Sequence, residues 1–315
     1  MARYVKLSAI NTLRLPQDDG HDLEAALNTA IEHLDRALAD VLPDRPDLIA
    51  LPEAFDRYPS HNEAAMLAYY ELRRDRVRDH LMKVARDNSV NIAYNYGPIY
   101  PDGTKRNQTV FISRTGGIDG FYNKNHLVDT ENTVNNMLFG KDAPIIKTDF
   151  GKVAGIICFD LNYDELREKY MKNHPELIVF SSQYHGGDFL QSYWAYSCRS
   201  WFLGAVFQNE CALVNPLGTK IAHSTNYFPY FTATANLDYA VVHLDYNWGK
   251  LDAARRKYGS GVKVYDPGNV GAVLITSECD EFSAMDIIRE FDIMLLDDYF
   301  AKSMAHRHAP GMIEP

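Results

Sequence analysis

The stretch "VAGIICFDLNYDELREKYMKNHPELIVFSS", residues 153–182, passes from a small, apolar run through a charged segment to a second apolar run. It reads as a strand at 152–159, a helix near 164–172 and a strand at 177–182. The first strand runs directly into Cys158 and Asp160. Most free cysteines are small core residues, so the position of this thiol says little until the rest of the chain is read.

Working outward, the same alternation recurs. Residues 3–10 (RYVKLSAI) read as a strand. Over 22–42, Leu23, Ala26, Leu27, Ala30, Ile31, Leu34 and Leu38 fall on one helical stripe. "DLIALPEAF" (47–55) is an apolar run closed by proline, a strand opening into a loop. A second amphipathic helix is expected over about 63–87, with strands at 91–96, 109–114 and 118–123. Turn signals separate these strands at "PDG" (101–103) and "TGG" (115–117). Beyond residue 182 the pattern predicts a helix at about 189–207, a strand at 211–215 and an alternating run at 236–247. A short helix near 248–258, a strand at 271–276 and a last helix from about 281 follow. This alternation argues for an α/β fold with buried sheet. No low-complexity linker divides the chain, so one domain is expected over 1–300. "AKSMAHRHAPGMIEP" (301–315) lacks apolar periodicity and reads as a C-terminal extension suited to packing on a partner subunit.

The bulk numbers exclude several classes. The 315 residues are 46% hydrophobic and 23% charged, an ordinary globular composition. No run of about 18 apolar residues is present to span a membrane, and Lys6, Asn11 and Arg14 interrupt any secretory signal at the N-terminus. Cys158, Cys198, Cys211 and Cys279 are too few and too scattered for a disulfide framework, which fits a reducing cytoplasm. A net charge of −10 argues against nucleic acid as a partner. The basic cluster "RRDRVRDH" (73–80) alternates with acids and reads as a solvated helix face. His61, His126, His185, His223 and His243 show no ligand spacing, so neither metal nor cofactor is expected.

Three chemical groups share one setting. Glu53 follows "LIALP", Lys124 follows "GFYN" and Cys158 follows "VAGII", each at the end of an expected strand. Strand ends are where open α/β sheets gather ligands and catalytic side chains. A carboxylate can take the proton from a thiol, and an ammonium can hold a developing oxyanion. Taken singly, a glutamate is commonly a surface acid, a lysine solvated and a cysteine a core filler. Spacing alone does not bring the three together.

The segments "LPEAF" (51–55), "GFYNKNHL" (120–127) and "GIICFDLNYDE" (155–165) resemble, in order, the three signature blocks of the nitrilase, or carbon–nitrogen hydrolase, superfamily. The similarity runs over roughly residues 4–275. It implies an α–β–β–α sandwich, dimerising toward αββα–αββα, and a Glu–Lys–Cys triad on Glu53, Lys124 and Cys158. Cys158 would then sit on the turn before the helix near 164, with Asn162 and Glu165 spaced as a capping box. The backbone N–H of Phe159 is implied as an oxyanion donor. The family often carries a second glutamate past the lysine, at a separation nearer eight, where this chain has Asn132. Glu131, seven residues on, is the candidate.

Nitrile-cleaving relatives typically show Cys-Trp-Glu, whereas Cys158-Phe159-Asp160 is more similar to the amidase and carbamoylase branches. The implied reaction is hydrolysis of a small amide or N-carbamoyl compound through a thioester, releasing an acid and ammonia or amine. Nitrile hydrolysis or acyl transfer on the same triad is the alternative, and an inactive binding protein on the same fold is the alternative from another class. Phe159, Tyr184 and His185, the last two in the loop "QYHGGDFLQSYW" (183–194), are the candidate substrate-binding residues. No arginine stands beside the catalytic turns as a carboxylate clamp. The aromatic-rich segment 189–207 is read as a dimer seam or a buried core helix.

Overall fold

The computed structural model describes residues 1–11, 15, 22–58, 63–183 and 186–314. Contacts divide the chain into two compact units, residues 5–235 and residues 1–4 with 236–315. In the first unit, strand β1 (Tyr4–Ile10) precedes helix α1 (Leu23–Ala39), β2 (Leu48–Ala50), α2 (Glu63–Arg73) and α3 (Arg76–Asn88). Then come β3 (Asn91–Tyr96), β4 (Gln108–Ile112), β5 (Ile118–Asn123) and the one-turn helix α4 (Asp129–Thr133). The chain continues through β6 (Ile146–Lys147), β7 (Lys152–Ile157), α5 (Asp164–Asn173), β8 (Leu177–Ser182), α6 (Asp188–Cys198) and β9 (Trp201–Val206). It closes with β10 (Ala212–Val214), β11 (Lys220–His223) and β12 (Tyr230–Asn236).

These strands form two six-stranded sheets, ordered β12-β1-β2-β3-β4-β5 and β11-β10-β9-β8-β7-β6. The central pairs β1–β2, β2–β3, β7–β8 and β8–β9 are parallel. Strands β2, β3, β8 and β9 are buried along their whole length, so side chains on both of their faces are covered. Helix α1 starts at Asp22, whose side chain accepts a hydrogen bond from the Ala25 N–H, and buries Leu27, Ala30, Leu34 and Leu38. With Leu81 of α3 it covers Ile49 and Ile92 of the first sheet. Leu166 and Tyr170 of α5 and Trp194 of α6 cover Ile156, Ile178 and Phe202 of the second.

The inner faces of the two sheets meet at Gly155. A Cβ there would lie 2.9 Å from Tyr122 Cβ on β5 and 3.3 Å from the Phe111 ring on β4, so only glycine lets β7 approach. The Ser181 hydroxyl on β8 donates to the Leu51 carbonyl, 2.9 Å away, just past β2. Helices, sheet, sheet, helices is the layer order that the family resemblance implies.

Several elements differ from the sequence reading. The helix expected at 189–207 is α6 followed by β9, separated by Arg199 in a left-handed conformation (φ 52°). The apolar run "WFLGAV" is dry because it is a central strand, paired with β8 and β10, and not one turn of a seam helix. The helix expected at 63–87 breaks at Arg74, which is also left-handed. The capping box of Asn162 and Glu165 does not form. Residues 158–162 make a 3₁₀ turn, the N-cap of α5 is Tyr163, and the Asn162 amide turns back to the Phe159 carbonyl at 3.0 Å.

The second unit carries β13 (Tyr239–His243), α7 (Trp248–Tyr258), β14 (Val262–Tyr265), β15 (Ala272–Ser277), α8 (Ala284–Glu290) and α9 (Leu296–Arg307). Its antiparallel sheet, β13-β15-β14, shares a core of Val242, Leu251, Val273, Ile275 and Ile287. Helix α8 is capped by Ser283, whose side chain accepts from the Asp286 N–H. The extension expected from residue 301 instead begins as the last turns of α9. That helix is pinned earlier by Tyr299, stacked on His243 with ring centroids 3.9 Å apart and donating to Asp245 Oδ2 at 2.7 Å. No helix among the described residues is long and apolar enough to cross a membrane.

Candidate active site

Glu53 follows β2, Lys124 follows β5 and Cys158 follows β7, and the fold brings all three to one cavity of about 410 Å³ in the first unit. All are buried: Glu53 is 5% exposed, Lys124 2% and Cys158 7%. The turns that present them are strained. Ala54, next to the glutamate, has φ 51°, and Cys158 itself has φ 44°. A side-chain-bearing residue in this region costs about 1–3 kcal/mol, which the surrounding hydrogen bonds must outweigh. At the first turn, the Ala54 N–H donates to Asn95 Oδ1 at 2.9 Å.

Lys124 Nζ donates to Glu53 Oε1 at 3.0 Å and to Glu131 Oε2 at 2.9 Å. Burial alone would lower this ammonium, but the two carboxylates outweigh it and hold its pKa above the ordinary lysine range. Glu131, from α4, also accepts from the Val128 N–H at 2.8 Å. Asn132 points elsewhere, its amide on the Met137 carbonyl at 2.7 Å, so the shorter spacing is the one that reaches the lysine. Asn107 completes the cluster: its Nδ2 donates to Glu53 Oε1 at 2.8 Å and Glu131 Oε1 at 2.6 Å, and its Oδ1 accepts from Asn95. Neither asparagine was singled out in the sequence, because a lone Asn in a strand (Asn95) or just before one (Asn107) carries no chemical signature. Glu53 Oε2 accepts from the Gln183 N–H at 3.0 Å, at the end of β8.

Burial raises the pKa of the Cys158 thiol, and the Glu53 carboxylate raises it further. Lys124 and hydrogen bonds from Ser182 and the Gln183 N–H partly oppose them. The resting sulfur is therefore a protonated thiol held beside a carboxylate. Burial raises Cys198 and Cys211 to about 12, and neither lines the cavity.

Asp160, two residues past the sulfur, is completely buried. Its Oδ2 accepts from Tyr122 Oη at 2.7 Å and the Ile157 N–H at 3.1 Å, and its Oδ1 from the His126 N–H at 2.8 Å and ring Nδ1 at 2.9 Å. It thus ties the nucleophile's turn to the chain on both sides of Lys124. His126 stacks on Tyr163 at 3.8 Å and is not among the residues lining the cavity, nor is Phe159, whose ring sits edge-on to Tyr163. Tyr184 and His185 lie outside the described residues. Asp160→Asn would set an amide N–H against groups that are already donors. It is expected to cost about 2–3 kcal/mol of stability in urea unfolding, the penalty for buried polar groups left unpaired.

Arg57 lines the cavity four residues after Glu53, correcting the expectation that no arginine stands near the catalytic turns. Among the described residues, no group of three or more His, Cys, Asp or Glu side chains is placed to hold a metal ion.

Two stacked α/β sheets with an acid, an ammonium and a thiol converging from their strand ends define the class of protein. The carbon-nitrogen hydrolase family model matches residues 13–238, and the chain belongs to that family. It is 29% identical over 110 residues to Probable nitrilase C965.09 of Schizosaccharomyces pombe, a stretch covering 33% of this chain and only 38% of that protein. Among solved structures it is similar to Saccharomyces cerevisiae Nit3, of branch 10 of the nitrilase superfamily (TM-score 0.58, 16% identity, 74% of this chain and 90% of that one). It is also similar to a mutant of the amidase from Nesterenkonia sp. AN1, captured after Michael addition of acrylamide at its active-site cysteine (TM-score 0.61, 14% identity, 81% and 99%).

Proposed function

We propose that the protein is a thiol hydrolase that cleaves a non-peptide C–N bond of a small amide or N-carbamoyl compound. One observation carries this reading: a buried ammonium shared by two carboxylates stands beside a buried thiol on a left-handed turn. Removing such charges from water costs several kcal/mol, so stability alone does not account for the cluster.

Glu53 takes the thiol proton as the sulfur attacks the carbonyl carbon, forming the C–S bond. Lys124 and the Phe159 N–H hold the oxyanion. Glu53 then passes the proton to the leaving nitrogen, the C–N bond breaks and a thioester remains. Water, oriented by Glu131 and deprotonated by Glu53, attacks the thioester; the C–S bond breaks, the acid leaves and the proton returns to sulfur. The preference for amides over nitriles is supported by the likeness to an amidase. Within the Cys-Phe-Asp triplet, Asp160 is an internal anchor bonded to Tyr122 and the His126 N–H.

Acrylamide tests the reading, because it combines an amide with an alkene that captures a thiolate without a leaving group. The sulfur bonds to the terminal alkene carbon and the thiol proton ends on the carbon beside the carbonyl. Mass spectrometry of digested protein is expected to find the adduct on Cys158 and to find Cys198 and Cys211 unmodified. Addition at the other thiols with Cys158 intact would overturn it.

A further inference from the structure

The charges lining the cavity do not cancel in the way a neutral substrate would require. Its carboxylates are Glu53, Asp56 and Glu131, and each already accepts several strong donors. Glu53 and Glu131 share Lys124 and Asn107. Asp56 Oδ2 accepts from Arg73 Nη1 at 2.8 Å and Tyr94 Oη at 2.7 Å, and Arg73 in turn bonds the Gly97 carbonyl at 2.6 Å. That pair is closed, with both side chains at most 2% exposed. Two further cations, Arg57 and Lys105, line the same cavity, and among the described residues neither meets a carboxylate.

Both stand where a ligand would find them. Arg57 is exposed, yet its Nη1 reaches Gln183 Oε1 at 3.4 Å, and the Gln183 N–H is the donor on Glu53 Oε2. Its charge is also felt at Tyr70, another wall of the cavity. Burial and Asp56 raise that phenol, while Arg73 and Arg57 pull it the other way. Lys105 lies two residues before Asn107 on a segment bridged to Ile99 and Met137. In extended chain, residues two apart share a face about 7 Å apart. Lys105 therefore stands one step along the wall from the amide that holds both glutamates. Met66, Leu67, Tyr70 and Met137 supply apolar surface to the same cavity.

We infer that the substrate is an amide carrying a carboxylate, or a comparable anion, at the end remote from the scissile bond, and that Arg57 and Lys105 select it. The Glu53–Lys124–Glu131 cluster has a net charge of −1 and would repel an anion placed next to the reacting carbonyl. Arg57 and Lys105 offer it a place beyond that cluster, a few carbon atoms along an apolar chain. An arginine fork is the side chain best matched to a carboxylate. This inference rests on the amide-hydrolase reading above and deepens it to a substrate class.

The test compares glutaramate with pentanamide, of equal chain length, one ending in carboxylate and the other in methyl. Wild-type protein is expected to favour glutaramate by about 10- to 100-fold in kcat/KM, the range for charged hydrogen bonds. R57Q combined with K105Q should bring the ratio close to one, and R57E should invert it. Equal turnover of the two amides by wild type, or a preference unchanged in the double variant, overturns the inference while leaving amide hydrolysis intact. Calorimetric binding of pentanoate, which carries a single carboxylate and a methyl at its other end, needs no turnover: it should be measurable in wild type and weakened at least about 10-fold in R57Q. If pentanoate fails to bind wild type, the anion site is wrong even if no amide is cleaved. If pentanoate binds but acrylamide does not label Cys158, the hydrolase reading fails on its own.

Discussion

Cys158→Ala is expected to remove turnover altogether, with ammonia release falling on the order of 10⁴-fold or more, because no other group near the carbonyl can form the acyl intermediate. Cys158 is the only cysteine lining the described cavity. Cys198 is the buried last residue of α6, and Cys211 is fully buried just before β10. The substitution removes one sulfur and leaves the hydrogen bonds of Asp160, which hold the turn. The unfolding midpoint should therefore shift by only a few degrees, consistent with a change of about 1 kcal/mol. Cys158→Ser keeps a hydroxyl at the position but not the nucleophilicity of sulfur, so it should be nearly as inactive. Measurable amide hydrolysis by Cys158→Ala, in a preparation free of wild-type protein, would remove the thioester from the mechanism.

The sequence made the nucleophile's surroundings legible unevenly, and the reasons are physical. Strands β7 and β8 were readable because a strand covered on both faces is apolar throughout, and α5 because its composition breaks sharply from theirs. The same rule misled at 189–207. There an apolar strand directly follows a helix, and the boundary is a single left-handed Arg199 that composition does not flag. Glu53, Lys124 and Cys158 were legible because their chemistry is scarce and their three segments occur in order. Asn107, Asn95 and Arg57 were not, since each takes its meaning from a neighbour remote in sequence: Asn107 from carboxylates 54 and 24 residues away, Arg57 from Gln183, 126 residues on. Asp160 was legible only as the third residue of a Cys–aromatic–Asp triplet; that its carboxylate faces inward and binds two loops together depends on Tyr122 and His126, 38 and 34 residues away.

Glu53→Gln separates two properties that an activated-thiolate mechanism would tie together. In the wild type, burial raises the pKa of Cys158, Glu53 adds to this by its negative charge, and Lys124 acts in the opposite direction. Neutralising Glu53 removes a repulsion from the thiolate and leaves the ammonium in place. The thiol should then titrate at lower pH, and at a fixed pH near neutrality iodoacetamide should label Cys158 faster than in the wild type. Turnover should move the other way. Without a base to take the proton and return it to the leaving nitrogen, kcat is expected to fall about 10²–10⁴-fold. Lys124→Met provides the opposite sign. Losing the cation raises the thiol, shifts alkylation to higher pH, and removes an oxyanion donor, lowering kcat by about 10²–10³-fold. The discriminating measurement is the pH profile of alkylation set beside kcat for both variants. Slower alkylation in Glu53→Gln would mean that the carboxylate maintains a standing thiolate, and the base role assigned to it would be wrong. Faster alkylation with lost turnover fits only a glutamate that moves the proton during the reaction.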